Sequence, residues 1–251
     1  MKLDDVRKLH QKKFRDLLGH FLVEGEHLVL ELQKAASQDA RLLRSELFVT
    51  REHAGWDSPF ETHVITAAQM GRISDTRQPQ GMVAVVPVLP APPPAAGERS
   101  LYLHEVQDPG NLGTILRSMA WFGGFRCLLS PGSVDPHNPK VVRASMGAIF
   151  HVPVEVEVAL ESLPGRFARI GCLDMQGQRL TASDFSRCDC YVFGNEARGL
   201  PRESLAALGA LPFAIPGCGA IESLNLASVV NMCLYELNRQ FHSTARPSVG
   251  R

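Results

Sequence analysis

From about residue 100 onward, short apolar segments alternate with amphipathic segments along the chain. The apolar segments include SLYLHEV, FRCLLS, FHVPVEV, RIGCLDM, DCYVFG and PFAI, and the amphipathic segments include NLGTILRSMAWF, PKVVRASMGA and ALESLPGRF. Strands that alternate with helices form a mainly parallel sheet with helices on both faces. In such sheets ligands bind beyond the carboxyl ends of the strands. We therefore expect functional residues in the loops that follow the strands.

A proline-rich stretch, LPAPPPAAGERS at residues 89–100, predicts the border between two domains. Its prolines disfavour helix and sheet and favour an extended, semi-rigid linker. Before it, a basic helix, the strand and helix HFLVEGEHLVLEL and the strands ELFVT and GMVAVVPV predict a small α/β domain over residues 1–88. After it, we expect a larger α/β domain over residues 101–243 and a tail over residues 244–251.

The composition disfavours several classes of protein. The chain is 45% hydrophobic with a formal net charge of zero, which suits packed cores better than a charge-driven nucleic-acid binder. No apolar run is long enough to span a bilayer, and the N-terminus has no signal-peptide core. The cysteines form no C-x-x-C pair, which disfavours a zinc site. We expect a cytoplasmic protein with reduced thiols, no metal and no membrane partner.

The first helical segment is locally basic, with Lys12, Lys13 and Arg15 close together. Such a cluster is a candidate for contacts with phosphate groups. The alternative is a solvated helix face, which charge alone favours.

The loop and helix EVQDPGNLGTILRSMAWFGG, residues 105–124, follow the first strand of the larger domain. Apolar residues at helical spacing bury one face of this helix, and Arg117 lies outside that face. Helical side chains lean toward the N-terminus, so Arg117 reaches back over Gly113 toward the DPGN loop. Asn111 is the predicted N-cap. The alternative is a capped helix that carries a surface arginine.

Two further loops follow later strands. In VFGNEARGLPRE, Gly194 and Gly199 flank Glu196 and allow the backbone to approach a ligand closely, and a helix is predicted from Pro201. In IPGCGAIESLNLASVVNMCLYEL, the last helix is predicted to begin at Ser223 as its N-cap, with Asn225 on the first turn. A plain turn and a capped helix are the alternatives. Neither a G-x-G-x-x-G fingerprint nor a P-loop is present.

Taken in order, DPGNLGTILR, GNEARGL and IPGCGAIESLN resemble the three signature motifs of the SpoU (TrmH) class of RNA ribose 2′-O-methyltransferases. The resemblance covers residues 101 to about 240. It implies a methyltransferase domain with a C-terminal trefoil knot, and a homodimer. The segments KKFRDLLGHFLVEGEHLV and QGMVAVV resemble the ribosomal-protein-like domain with which many members bind RNA.

The resemblance also implies the cofactor, S-adenosylmethionine, and a role for particular residues. The implied active-centre residues are Asn111, Arg117, Glu196, Ser223 and Asn225. The cofactor-binding set, largely backbone, is Leu173, Gly194, Asn195, Gly199, Ile215, Pro216 and Leu224. The RNA-binding set is Lys12, Lys13, Arg15 and Arg143. Because a guanidinium is very hard to deprotonate, Arg117 is expected to orient a phosphate and stabilise the developing alkoxide, not to act as the base.

Other functions remain open from the sequence. Ribosomal RNA is the expected substrate, and transfer RNA is the alternative. A protein with this fold that binds RNA or assists ribosome assembly without turnover is a further alternative. A hydrolase is disfavoured because the chain has no G-x-S-x-G motif.

Overall fold

The computed structural model describes residues 1–196, 198–200, 202–221 and 223–244, so Pro201 and almost all of the predicted tail lie outside the described residues. Contacts divide the chain into two compact units. The first unit comprises Met1–Pro92 with Asp135–His151, and the second comprises Pro93–Val134 with Val152–Arg251. The predicted domain borders, which assign residues 135–151 to the larger domain, stay a prediction.

The helices and strands are numbered in chain order. The α-helices are α1 (Leu3–Lys8), α2 (Lys12–Leu18), α3 (Glu26–Ala36), α4 (Ala67–Ile73), α5 (Pro109–Phe122), α6 (Pro139–Ser145), α7 (Arg202–Leu208) and α8 (Leu226–Thr244). The strands are β1 (His20–Glu24), β2 (Glu46–Val49), β3 (Glu61–Val64), β4 (Met82–Pro87), β5 (Arg99–Leu103), β6 (Phe125–Leu129), β7 (Val154–Glu155), β8 (Ile170–Arg179), β9 (Cys190–Phe193) and β10 (Leu211–Ala214). No helix among the described residues is long and apolar enough to cross a membrane.

The first unit contains a four-stranded sheet in the order β1-β4-β2-β3. Every residue of β4 is buried, because alternate side chains face opposite sides of the sheet and both sides are covered. Met82 and Ala84 pack with α3, whereas Val83 and Val85 pack with residues of α1 and α4. The apolar run GMVAVVPV therefore forms a strand, as predicted, and the structure places this strand inside the sheet between β1 and β2. Strand β3 was not predicted, because its sequence ETHV is polar and largely exposed.

Two ion pairs hold residues 135–151 within the first unit. Arg15 is buried and donates from Nε to Asp135 Oδ2 at 2.8 Å, and from Nη1 to the Leu9 carbonyl at 2.8 Å. Arg143 of α6 pairs with Asp75 at 2.9 Å. These guanidinium groups are engaged within the protein, which does not support their expected contacts with RNA. Lys12 and Lys13 are exposed on α2, and their expected role stays a prediction.

The Asp135 carboxylate is expected to stabilise the first unit at neutral pH. Burial opposes its ionisation, but hydrogen bonds from His137 and Arg15 outweigh burial and hold the pKa of Asp135 well below its usual value. A lowered pKa stabilises the fold above the unfolded-state pKa of about 4, and this stabilisation is lost as the pH falls below it. Asp135→Asn should therefore lower the free energy of unfolding at pH 7 by about 3 kcal/mol, because it leaves Arg15 without a charged partner.

Urea unfolding at pH 7 and pH 3, followed by circular dichroism, would measure this effect. The difference from wild type should shrink at pH 3. Asp184→Asn is the matched control, since Asp184 pairs with Arg187 at an exposed site and contributes at most about 1 kcal/mol. Equal stability of wild type and Asp135→Asn at pH 7 would contradict the prediction.

The second unit contains a six-stranded sheet in the order β10-β8-β9-β5-β6-β7, and every neighbouring pair is parallel. The predicted parallel sheet is therefore confirmed. One expectation was wrong in extent, because the segment FHVPVEV forms only the two-residue strand β7. The helix expected near ALESLPGRF is present as a short 3-10 helix, Leu160–Gly165. Pro164 lies inside this helix and donates no backbone hydrogen bond.

The order of the strands creates a switch point at the middle of the second sheet. From β5 the chain moves outward through β6 to β7, and it later returns through β8 to β9, which lies on the other side of β5. Connections therefore leave β5 and β9 in opposite directions. The crevice beyond the carboxyl ends of such a pair of strands is where open α/β sheets bind ligands.

Candidate active site

Helix α5 starts directly beyond the carboxyl end of β5. Asp108 caps it by accepting the backbone N–H of Asn111 at 2.7 Å, and Pro109 occupies the first helical position. The prediction that Asn111 is the N-cap is therefore wrong. Because Asp108 performs the capping, the side-chain amide of Asn111 can make other contacts.

Helix α8 is capped by Asn225. Its Oδ1 accepts the backbone N–H groups of Ala227 at 2.9 Å and Ser228 at 3.3 Å. The N-cap of the last helix was expected at Ser223, and this was wrong by two residues, since the helix begins at Leu226 after the Asn225 cap. Ser223 is exposed in the preceding loop.

A chain of hydrogen bonds joins three of the predicted active-centre residues. Asn225 Nδ2 donates to Asn111 Oδ1 at 2.9 Å, and Asn111 Nδ2 donates to Glu196 Oε1 at 3.2 Å. The cap fixes Asn225 Oδ1 as an acceptor, so Nδ2 must donate, and the orientation of the Asn111 amide follows. Each donor in the chain therefore points toward Glu196, which suits an ionised carboxylate.

Glu196 lies in a tight loop between Gly194 and Gly199. Asn195 and Gly199 exchange two backbone hydrogen bonds of 3.0 and 2.9 Å. A Cβ atom on Gly194 would lie 2.5 Å from the carbonyl carbon of Gly199, and Gly199 has a φ of +66°. Glycine is therefore required at 194 by the close approach of the backbone and favoured at 199 by the left-handed conformation.

A cavity of about 420 Å³ opens at this place, within the usual size range of small-molecule sites. Its lining is polar and consists of Gln107, Asp108, Asn111, Asn195, Glu196 and Asn225. It lies beyond the carboxyl ends of β5 and β9, at the switch point of the sheet, as expected from the alternating sequence. The described residues contain no group of three His, Cys, Asp or Glu side chains that could hold a metal ion.

Of the other predicted site residues, Asn195 also lines this cavity, and the rest are not among its lining residues. Arg117 is exposed on α5, and no described side chain pairs with it. The predicted cofactor-binding residues fall in three places: the loop after β9 (Gly194, Asn195, Gly199), the loop after β10 (Ile215, Pro216, Leu224), and Leu173. Leu173 begins a stretch of β8, residues 173–177, that lies opposite no residue of β10.

Sequence reasoning missed Gln107 and Asp108 in the lining. Asp108 precedes Pro109, and an N-cap aspartate followed by proline at the first helical position is a signal that could have identified it. Gln107 Nε2 donates to the Gly132 carbonyl at 2.6 Å, a contact between distant parts of the chain that no local pattern indicates.

Residues 98–235 match the model of the SpoU rRNA Methylase family. The chain belongs to this family. Residues 2–84 match the MRM3-like substrate binding domain. The resemblance inferred from the three motifs and from the N-terminal segment is thereby confirmed.

The similarity to several known proteins extends over almost the whole length of this chain. The chain is 32% identical to an uncharacterized tRNA/rRNA methyltransferase of Synechocystis over 96% of this chain and 92% of that protein. It is 29% identical to the 23S rRNA (guanosine(2553)-2′-O)-methyltransferase RlmP of Bacillus subtilis, over 94% and 95% of the two chains. The crystal structure of an AdoMet-bound rRNA methyltransferase from Sinorhizobium meliloti superimposes with a TM-score of 0.80 at 26% identity, over 95% and 94% of the chains.

Proposed function

We propose that this protein transfers a methyl group from S-adenosylmethionine to a ribose 2′-hydroxyl of ribosomal RNA. The observation that carries the proposal is the hydrogen-bonded chain Asn225–Asn111–Glu196 at the edge of the cavity. It unites one residue from each of the three motifs at the switch point of the sheet. The relatives that span both units are named as RNA methyltransferases, and the Bacillus protein is named as a 2′-O-methyltransferase.

The residues beside the cavity fit S-adenosylmethionine. Gly217 and Gly219 lie in the exposed loop after β10, and no atom lies within 4 Å of a Cβ built at either residue, so an adenosine has room to approach the backbone closely there. The Gly194–Gly199 loop brings a second stretch of backbone to the same edge of the sheet. When bound, S-adenosylmethionine supplies an electrophilic methyl group on sulfur. We assign its binding to backbone near Leu173, Gly194, Ile215 and Leu224, with Asn195, Gly199 and Pro216 in the same loops.

The protein contributes mainly positioning to such a transfer. A ribose hydroxyl is a weak nucleophile, and alignment of the reacting groups alone can lower the barrier by several kcal/mol, about 7 to 11 in favourable cases. Asn111 and Glu196 hold the motif loops, and Ser223 and Asn225 position the ribose and the loop before α8. The exposed guanidinium of Arg117 orients the neighbouring phosphate and stabilises the developing alkoxide, while the hydroxyl proton passes to phosphate or water.

Methyl transfer to purified RNA tests the function. Wild type, Arg117→Ala and Arg117→Lys would be incubated with labelled S-adenosylmethionine and with ribosomal or transfer RNA from cells that lack the gene. We expect labelled 2′-O-methylnucleoside in ribosomal RNA from wild type, and about 100-fold slower transfer by Arg117→Ala. Arg117→Lys should also be impaired, because lysine cannot form the bidentate phosphate contact.

The other outcomes of this experiment separate the alternatives. Arg187→Ala, which removes an exposed arginine of the ion pair with Asp184, is the control and should transfer at the wild-type rate. Label in transfer RNA alone would favour the alternative substrate. RNA binding without cofactor binding would favour a protein that assists ribosome assembly without turnover. Near-normal turnover by Arg117→Lys would contradict the bidentate role of Arg117.

Ribosomal RNA is the favoured substrate because the first unit carries the MRM3-like substrate binding domain and the Bacillus relative is named for 23S rRNA. The proposal also includes a cytoplasmic location and a trefoil knot in the second unit. Two features of the sheet support close threading of the chain there. The register of β10 against β8 shifts after Pro212, and a Cβ on Gly177 would lie 2.4 Å from the Phe213 nitrogen.

The proposal further includes a homodimer formed through α5 and α8. These helices pack together and carry exposed apolar side chains, with Trp121 84%, Tyr235 60% and Met232 44% exposed. Large exposed apolar side chains on two helices that pack together are a candidate interaction surface. Light scattering should give the mass of two chains, and a mass of one chain at micromolar concentration would exclude the dimer.

A further inference from the structure

Glu105, directly beyond β5, has an unusual backbone conformation. Its φ is +48°, in the left-handed region that residues other than glycine rarely adopt. Such a conformation persists only where the surroundings impose it, and it is found preferentially at functional sites. Neither the family motifs nor the hydrogen-bonded chain Asn225–Asn111–Glu196 includes Glu105.

Three contacts impose this conformation. The backbone N–H of Glu105 donates to Ser130 Oγ at 2.7 Å, and its carbonyl accepts Asn195 Nδ2 at 2.7 Å. Its carboxylate accepts Arg198 Nη2 at 2.5 Å. Arg198 is itself joined to Asn195, because its backbone N–H donates to Asn195 Oδ1 at 3.0 Å. The loop after β5 is thus tied to the loop after β9 through both backbone and side chain.

We propose that Glu105 and Arg198 form a clasp that positions the loops after β5 and β9 for methyl transfer. This inference rests on the proposed function. Asn111 follows Glu105 into α5, and Glu196 lies two residues before Arg198. The ion pair between Glu105 and Arg198 therefore holds the two loops at the separation that allows Asn111 Nδ2 to donate to Glu196 Oε1 at 3.2 Å. The two residues act through Asn111 and Glu196, so they are positioning residues.

The exposure of the pair argues against a role in stability alone. The side chain of Arg198 is 71% exposed and that of Glu105 is 34% exposed. Ion pairs at such exposure contribute little to folding. A small effect on the fold can still be a large effect on turnover, because a shift of about 1 Å in reacting groups can cost about 100-fold in rate.

The test measures kcat, KM for RNA and cofactor affinity for variants of the whole protein. Glu105→Gly removes the carboxylate and tolerates the positive φ, so the backbone conformation is preserved. Arg198→Ala removes the partner, and Arg198→Lys keeps the charge. The double variant Glu105→Arg with Arg198→Glu reverses the pair. Arg187→Ala, at an exposed ion pair elsewhere in the second unit, is the control.

The clasp predicts that Glu105→Gly and Arg198→Ala each lower kcat about 10- to 100-fold, with KM for RNA changed less than about twofold. Arg198→Lys should be intermediate, the reversed pair should recover most of the kcat, and Arg187→Ala should equal wild type. Thermal unfolding would show that the variants remain folded.

A kcat of Glu105→Gly equal to that of the wild type would overturn the clasp. A raised KM for RNA with unchanged kcat in Arg198→Ala, and no recovery in the reversed pair, would assign Arg198 to an RNA phosphate instead. A wild-type protein that transfers no methyl group to any RNA would overturn the proposed function itself and the clasp with it.

Discussion

Asn111→Ala is expected to lower methyl transfer about 100-fold or more while leaving the protein folded. The substitution removes both hydrogen bonds of the amide, so that Asn225 Nδ2 loses its acceptor and Glu196 loses a donor. The cap of α5 is unaffected, because Asp108 accepts the backbone N–H of residue 111. The substitution is therefore expected to change the positions of the loops and not the stability of α5. Small displacements of reacting groups strongly lower the rate of a transfer reaction.

Initial rates at saturating RNA and S-adenosylmethionine, together with melting temperatures, would measure this effect. Ser118→Ala is the matched control, since Ser118 lies on the same helix and its hydroxyl bonds to the Thr114 carbonyl. Asn111→Asp adds information, because it retains the size of the side chain but places a second carboxylate against Glu196 and should be at least as impaired. Turnover near the wild-type level in both variants would show that the hydrogen-bonded chain has no part in catalysis.

Gly194→Ala is expected to abolish cofactor binding and activity together. The added Cβ would lie 2.5 Å from the carbonyl carbon of Gly199 and 2.8 Å from the nitrogen of Leu200. Both are backbone atoms, which cannot move aside as a flexible side chain does. The loop that carries Glu196 must open, with a loss of about 1 to 3 kcal/mol in stability, as is typical of overpacking.

Calorimetric titration with S-adenosylmethionine would show the loss of binding directly. Gly165→Ala is the control, because no atom lies within 4 Å of a Cβ at that position and its backbone does not require glycine. If Gly194→Ala bound the cofactor with wild-type affinity, the close approach of Gly194 to Gly199 would not be part of the cofactor site.

The sequence predicted the parallel sheet well, because strands buried on both faces give apolar runs that stand out from amphipathic helices. It predicted β3 poorly, since ETHV is mostly exposed at the edge of its sheet and carries no apolar pattern. The three motifs identified Asn111, Glu196 and Asn225, which the structure brings together.

The sequence could not assign the caps correctly. Asp108 and Asn111 are both candidates for the N-cap of α5, and Ser223 and Asn225 are both candidates for the N-cap of α8. In both cases each candidate has a side chain suited to capping, so propensity alone does not separate them. Contacts such as Glu105 with Arg198 join residues far apart in sequence, and nothing in the local pattern of either segment indicates them.

The assignment of residues 135–151 to the first unit determines where this chain can be divided. A fragment that ends at the proline-rich stretch would retain Arg15 but lose Asp135, and Phe21 would lose its ring contacts with His137 and Phe150. To exchange the first unit between relatives, an engineer would therefore have to transfer two separate segments, Met1–Pro92 and Asp135–His151. Asp135, the partner of Arg15, is encoded between segments of the second unit. A recombination event at the proline-rich stretch would therefore separate the two residues of this pair.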